Sequence, residues 1–105
     1  MVKKIKVLNL KIKELNLDVL EDILLKVERS VEDYLKQKLP PKAEYDLILR
    51  IDKNDDITLY IDIGVIGIYE DLIDYNKIIG DAINLARRIF EEKIKRYRRN
   101  TENNT

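Results

Sequence analysis

A chain of 105 residues has room for one domain. Its 20 Lys and Arg offset its 20 Asp and Glu, and 45% hydrophobic beside 38% charged residues excludes the composition of a disordered chain. With no Cys, no His and Ser30 as the one serine, disulfides, zinc knuckles, thiol chemistry and a Ser–His pair are excluded, and no apolar run approaches the ~20 residues of a membrane span.

Residues 2–12 form the first expected element, a strand. Ile5 and Val7 share one face, after which the apolar parity changes to Leu8, Leu10 and Ile12. A period-2 strand changes parity only through a bulge or an end, so an irregularity is expected near Val7–Asn9. An amphipathic helix follows over 17–38. Asn16 is its N-cap and Asp18 complements the positive end of its dipole. Leu20, Ile23, Leu24, Val27, Val31, Tyr34 and Leu35 make one continuous stripe, and Pro40-Pro41 terminates it for want of a backbone donor.

Residues 44–52 alternate Tyr45, Leu47, Leu49 and Ile51 against Asp46, Arg50 and Asp52, with Ile48 as the exception. Residues 57–65 alternate Ile57, Leu59, Ile61, Ile63 and Val65 against Thr58, Tyr60 and Asp62. The polar turn Lys53–Asp56 between them predicts a β-hairpin with one buried face, its second strand central. A second helix is expected over 70–98. Ile79, Ile83, Ala86, Phe90, Ile94 and Tyr97 form one stripe, and Ile78, Ala82, Leu85 and Ile89 form a second beside it. Together they exceed the roughly 100° of apolar arc that a helix on a sheet needs. The first helix or another chain could fill the surplus.

The order β-α-β-β-α implies an α+β fold. It consists of a three-stranded antiparallel sheet, order 2-3-1, with both helices on one face. Residues 1–99 constitute the domain, and the polar run 100–105 is expected to be a disordered tail. The other sheet face, with Asp46, Arg50, Thr58, Tyr60 and Asp62, is wet unless a partner covers it. Two open edges invite pairing with another chain.

Candidate chemistry is sparse. Asp52-Lys53-Asn54-Asp55-Asp56 has the opening spacing of an EF-hand loop, but Ile57 replaces the glycine of the sharp turn and Ile63 the bidentate glutamate, so it reads as a hairpin turn. Gly64-Val65-Ile66-Gly67 has the GxxG spacing of an RNA clamp without its basic surroundings, and reads as an exit from the strand. The carboxylates of Asp46, Asp52, Asp62, Glu70, Asp71 and Asp74 show no spacing that marks a site. No cofactor and no metal are expected. The C-terminal cations Arg87, Arg88, Lys93, Lys95, Arg96, Arg98 and Arg99 spread around the helix and read as a solvated helix end, with RNA contact the weaker alternative. Among six Tyr, Tyr60, Tyr69 and Tyr75 are placed to serve an interface.

Aliphatic richness, with 16 Ile and 14 Leu beside abundant charge, leans towards a thermophile. The opening Met1–Lys6 alternates charge with aliphatics and lacks the apolar core of a signal peptide, so a cytoplasmic location is expected. The sequon Asn103-Asn104-Thr105 carries no meaning without one.

The stretch Asp33-Tyr34-Leu35-Lys36-Gln37-Lys38, followed by the hairpin strands Tyr45–Asp52 and Asp56–Val65, resembles a small archaeal family. That family looks like a paralogue of the Pcc-type subunit of the KEOPS complex, which installs threonylcarbamoyl on an adenosine of certain tRNAs. The resemblance covers roughly residues 15–97 and is one of elements and spacings. It implies a non-catalytic accessory subunit that forms a heterodimer with the Pcc-type subunit and reaches the catalytic subunit through it. Pcc-type subunits carry an A-L-R-x-A-L-N-like segment in the last helix, where this chain has Asp81-Ala82-Ile83-Asn84-Leu85-Ala86-Arg87. That departure favours pairing with the Pcc-type subunit over direct binding of the catalytic one.

The expected function is therefore a dimerisation subunit, not an enzyme. Its interface would use Ile78, Ala82, Leu85, Ile89 and Tyr60, and a homodimer is an option in isolation. The alternative is a free-standing RNA-binding module acting through Arg87, Arg88, Lys95, Arg98 and Arg99.

Overall fold

A computed structural model describes residues 1–11, 15–68 and 71–103, and the side chains of these up to residue 97. The elements are β1 (Val2–Leu10), α1 (Leu17–Lys38), β2 (Glu44–Lys53), β3 (Ile57–Ile66) and α2 (Tyr75–Asn103). They build an α+β fold whose antiparallel sheet has the order β1-β3-β2. The topology is the expected one, with the hairpin partner and the first strand flanking a central β3.

Local chemistry sets the helix ends. Asn16 caps α1 by accepting the Val19 N–H at 2.9 Å. The Leu39 N–H closes the other end on the Leu35 carbonyl at 2.8 Å, just before the two prolines. α2 starts at Tyr75 and not at residue 70. Asp74 accepts the Lys77 N–H at 3.1 Å, a side-chain cap that a wheel pattern does not reveal. The α2 backbone continues through Asn103, into the run expected to be a disordered tail. The sequon at 103–105 extends beyond the described residues, as do Tyr69 and Glu70.

α1 packs over β2, α2 over β1 and β3, and the two helices against each other. Leu20, Ile23, Val27, Val31 and Leu35 of α1 meet Ile57, Leu59, Ile61, Ile63 and Val65 of β3 and Ile79, Ala82, Ile83, Ala86, Phe90 and Ile94 of α2 in one core. The surplus apolar arc of α2 is taken up within the chain. Ala82 is fully buried, and Ile78 and Ile89 are partly buried against the same core.

β1 departs from expectation. Its register with β3 runs unbroken from Val2↔Val65 to Leu10↔Ile57, so there is no irregularity at Val7–Asn9. Val2, Leu8 and Leu10 share the helix-facing side with Lys4 and Lys6, whereas Ile5 and Val7 point to the other face and are 62% and 48% exposed. An edge strand tolerates this, because lysine stems lie along apolar flanks while their ammonium groups stay in water. The Lys4 ammonium reaches Gly80 on α2 in this way. Ile12, the last residue of the expected parity change, lies outside the described residues.

Gly67 and Tyr75 explain one another. The Tyr75 ring is buried against Gly67, and its hydroxyl donates to the Ile68 carbonyl, fixing the exit from β3 onto the start of α2. Tyr75 is thus a core residue and not an interface tyrosine. A Cβ at Gly67 would overlap that ring. Gly67→Ala should therefore destabilise the domain by about 1–3 kcal/mol, read from chemical denaturation, with Gly80→Ala on the roomier face of α2 as the neutral-to-stabilising control.

Candidate interaction surface

The helix-free face of the sheet is built by the even-numbered residues of β3 and their neighbours. Across the strands β1, β3 and β2 its rows read Lys3–Gly64–Asp46, Ile5–Asp62–Ile48, Val7–Tyr60–Arg50 and Asn9–Thr58–Asp52, with Ile66 beside Glu44 at one end. An antiparallel sheet with one solvated face ordinarily turns polar side chains outward. Here Ile5, Val7, Ile48 and Ile66 are all about half exposed or more, and Met1 lies across Gly64 beside them. Ile5 and Val7 adjoin on β1, Ile48 stands across Asp62 from Ile5, and Ile66 lies beyond Gly64 at one end, so one face holds four exposed aliphatics where scattered single ones would need no explanation.

Several polar groups of this face are matched to one another, while Glu44 and Asp46 at one end are in none of the ion pairs among the described residues. The Lys3 ammonium stands 3.2 Å from the Asp62 carboxylate. The Arg50 guanidinium lies 3.7 Å from Asp52 and stacks over the Tyr60 ring at 4.3 Å. The Thr58 hydroxyl donates to the Asn9 side chain at 2.7 Å. Exposed pairs of this kind add little stability in water. Their consequence is different: side chains held in place and charges already neutralised lower the cost of covering the face with a partner.

Of the five expected interface residues, Tyr60 lies on this face. Ala82, Ile78 and Ile89 belong instead to the core or its margin, and Leu85 lines a shallow groove with Tyr34 of α1 and Asp81, Asn84 and Arg88. Ala82, having no exposed surface, cannot touch a partner. Ile5, Val7, Ile48 and Ile66 were not among the expected interface residues. Their signal in the sequence is an aliphatic side chain at the wrong parity of a strand, which Ile48 shows plainly within its alternating run.

Arg87, Arg88 and Lys95 are exposed along α2, while the side chains of Arg98 and Arg99 lie outside the described residues. Lys77 in the first turn of α2 bonds Asp81 at 3.0 Å, and that hydrogen bond raises the ammonium's pKa above its ordinary value. Among the described residues no group of three or more acidic side chains is placed to hold a metal ion, and no helix is long and apolar enough to cross a membrane. Of the Asp52–Asp56 run, Asp52 and Lys53 end β2 and Asn54–Asp56 form the β2–β3 turn, closed by the Asn54 N–H on the Asp56 carbonyl at 3.1 Å.

No protein-family model and no curated protein matches the chain. A crystal structure of a protein from Thermococcus onnurineus NA1 is similar to it, with a TM-score of 0.76 and 20% identity over 95% of this chain and 99% of that one. At that identity the likeness establishes a shared fold.

Proposed function

We propose that this protein is a non-catalytic accessory subunit that works by pairing with another protein through the open face of its sheet. The observation that carries the reading is the set of exposed aliphatic side chains, Ile5, Val7, Ile48 and Ile66, on one face where Lys3 pairs with Asp62 and Arg50 with Asp52. A sequence without His or Cys and with one Ser supports a scaffolding role, since the commonest nucleophiles and general bases are missing. The resemblance of residues 15–97 to the Pcc-type paralogue supplies the setting: a KEOPS-like complex making threonylcarbamoyladenosine in tRNA, in the cytoplasm, with the Pcc-type subunit as the partner and the catalytic subunit reached through it. In that arrangement the sheet face meets the partner, while the α1–α2 layer stays outward.

Affinity purification of the tagged full chain from its native cells tests the assignment. Recovery of a Pcc-type subunit in near-equal amount, with the catalytic subunit in lesser amount, is the expected result. Recovery of no KEOPS component overturns it.

A further inference from the structure

We infer that the outer edge of β2, beneath one flank of α1, is a docking groove for an extended basic segment of another protein, which joins the sheet as a fourth strand. This surface is separate from the open face. β2 pairs with β3 alone, so the backbone donors and acceptors on its outer side meet no strand. Its ten residues run from Glu44↔Ile66 to Lys53↔Ile57 without a bulge, and none of them is proline. Such an edge is a template for a further strand unless something blunts it. Lys3, Lys4 and Lys6 blunt β1. The cations of β2 are Lys53 at its last position and Arg50, which is drawn inward over Tyr60.

Apolar burial is unfinished along the same edge. Tyr45, Leu47, Leu49 and Ile51 of β2 are only partly buried, whereas Ile57, Leu59, Ile61, Ile63 and Val65 of β3 are closed off from solvent. A strand laid against β2 would set every second side chain beside the β2 row and cover it.

Charge selects the chemistry of the segment. α1 lies over β2, and α2 over β1 and β3. Val19, Ile23 and Tyr34 border grooves shared with α2, so they mark the inner flank of α1. At about 100° per residue, Glu21, Glu28 and Glu32 fall on the opposite flank, above the outer edge of β2. Glu44 and Asp46 stand on the other side of that edge. No ion pair among the described residues engages any of these five carboxylates. A segment mixing aliphatic residues with Lys or Arg meets both needs, because the long stems lie along the aliphatic row while their charged ends reach the carboxylates. A second copy does not. Joined β2 to β2, it would bring two glutamate flanks face to face, and joined β1 to β2, copies would add without closing.

The probe is a capped ten-residue peptide of alternating lysine and valine, labelled at one end and titrated against the full chain by fluorescence anisotropy. Binding on the order of tens of micromolar is expected, weakening about tenfold between about 0.05 and 0.5 M salt. Amide hydrogen exchange should slow along β2 and stay unchanged along β1. Glu28→Lys combined with Glu32→Lys should weaken binding about tenfold in a variant whose thermal melt shows it folded, whereas Ile5→Lys on the open face should leave binding as it was. A lysine–proline peptide of equal charge and a glutamate–valine peptide should not bind. No binding at about 1 mM, equal binding of either control peptide, slowed exchange confined to β1, or sensitivity to Ile5→Lys each overturns the inference. Growth of the pure chain into polymers also overturns it, by making β1 of another copy the occupant. Partner capture through the open face is read by co-purification, so either proposal can fail alone.

Discussion

Placing lysine at both Ile5 and Ile48 is expected to abolish partner capture, weakening it by at least about 100-fold, while the melting temperature stays within a few degrees of the parent. Both side chains are more than half exposed, so the isolated domain hardly registers their loss. In a covered interface each would forfeit about 1–2 kcal/mol of apolar burial and leave an ammonium group to be desolvated. The matching control is Leu85→Lys on the groove between the helices, which should leave capture intact. Loss of capture by the helix variant, with the sheet variant unaffected, would move the interface to the α1–α2 layer. The paired measurement is co-purification yield beside a thermal melt.

Phe90→Ala is expected to cost about 3–5 kcal/mol, the largest single effect on stability, with a loss on the order of 15–25 °C in melting temperature. Phe90 is fully buried, is the chain's one phenylalanine, and belongs to the core shared by both helices and β3. The other fully buried side chains of that core are aliphatic apart from Tyr75, which is committed to Gly67 and Ile68, while Tyr34 and Tyr45 pack against it only partly buried. Denaturant titration followed at the far-ultraviolet helix signal measures it. A cost below about 1 kcal/mol would mean that the α2–sheet contact is looser than described.

Elements whose apolar residues keep a single period were legible in advance. α1 shows this best: the stripe from Leu20 to Leu35 is its buried side, and Asn16 and the proline pair mark its ends. The hairpin was equally plain, because polar positions at every second residue leave only one way to orient it, and the central place of β3 followed from its higher apolar content. β1 and the start of α2 were not legible. In β1 aliphatic residues occupy both parities, and periodicity cannot choose between a bulge and a strand that shows apolar side chains on two faces. At the start of α2 the boundary depends on the Asp74 cap and on the Tyr75–Gly67 contact, a side-chain interaction and a packing interaction between residues that no spacing rule links.

The candidate site divides in the same way. Sequence placed Tyr60 on the open face, flagged Ile48 as a misfit, and left the shoulder of α2 to the first helix or to another chain, and Ile78, Ala82 and Ile89 on it pack into the chain's own core. The sequence by itself determined the element order, the single core and the want of the commonest catalytic groups, because those depend on residue type and on contacts short in sequence. Tertiary structure alone decided that Ile5, Val7, Ile48 and Ile66 share one face of the sheet, because they come from three strands and are brought to that face only through the register of β1 and β2 on β3. Hydrogen bonding between distant segments sets that register, and neither composition nor periodicity encodes which distant residue stands opposite.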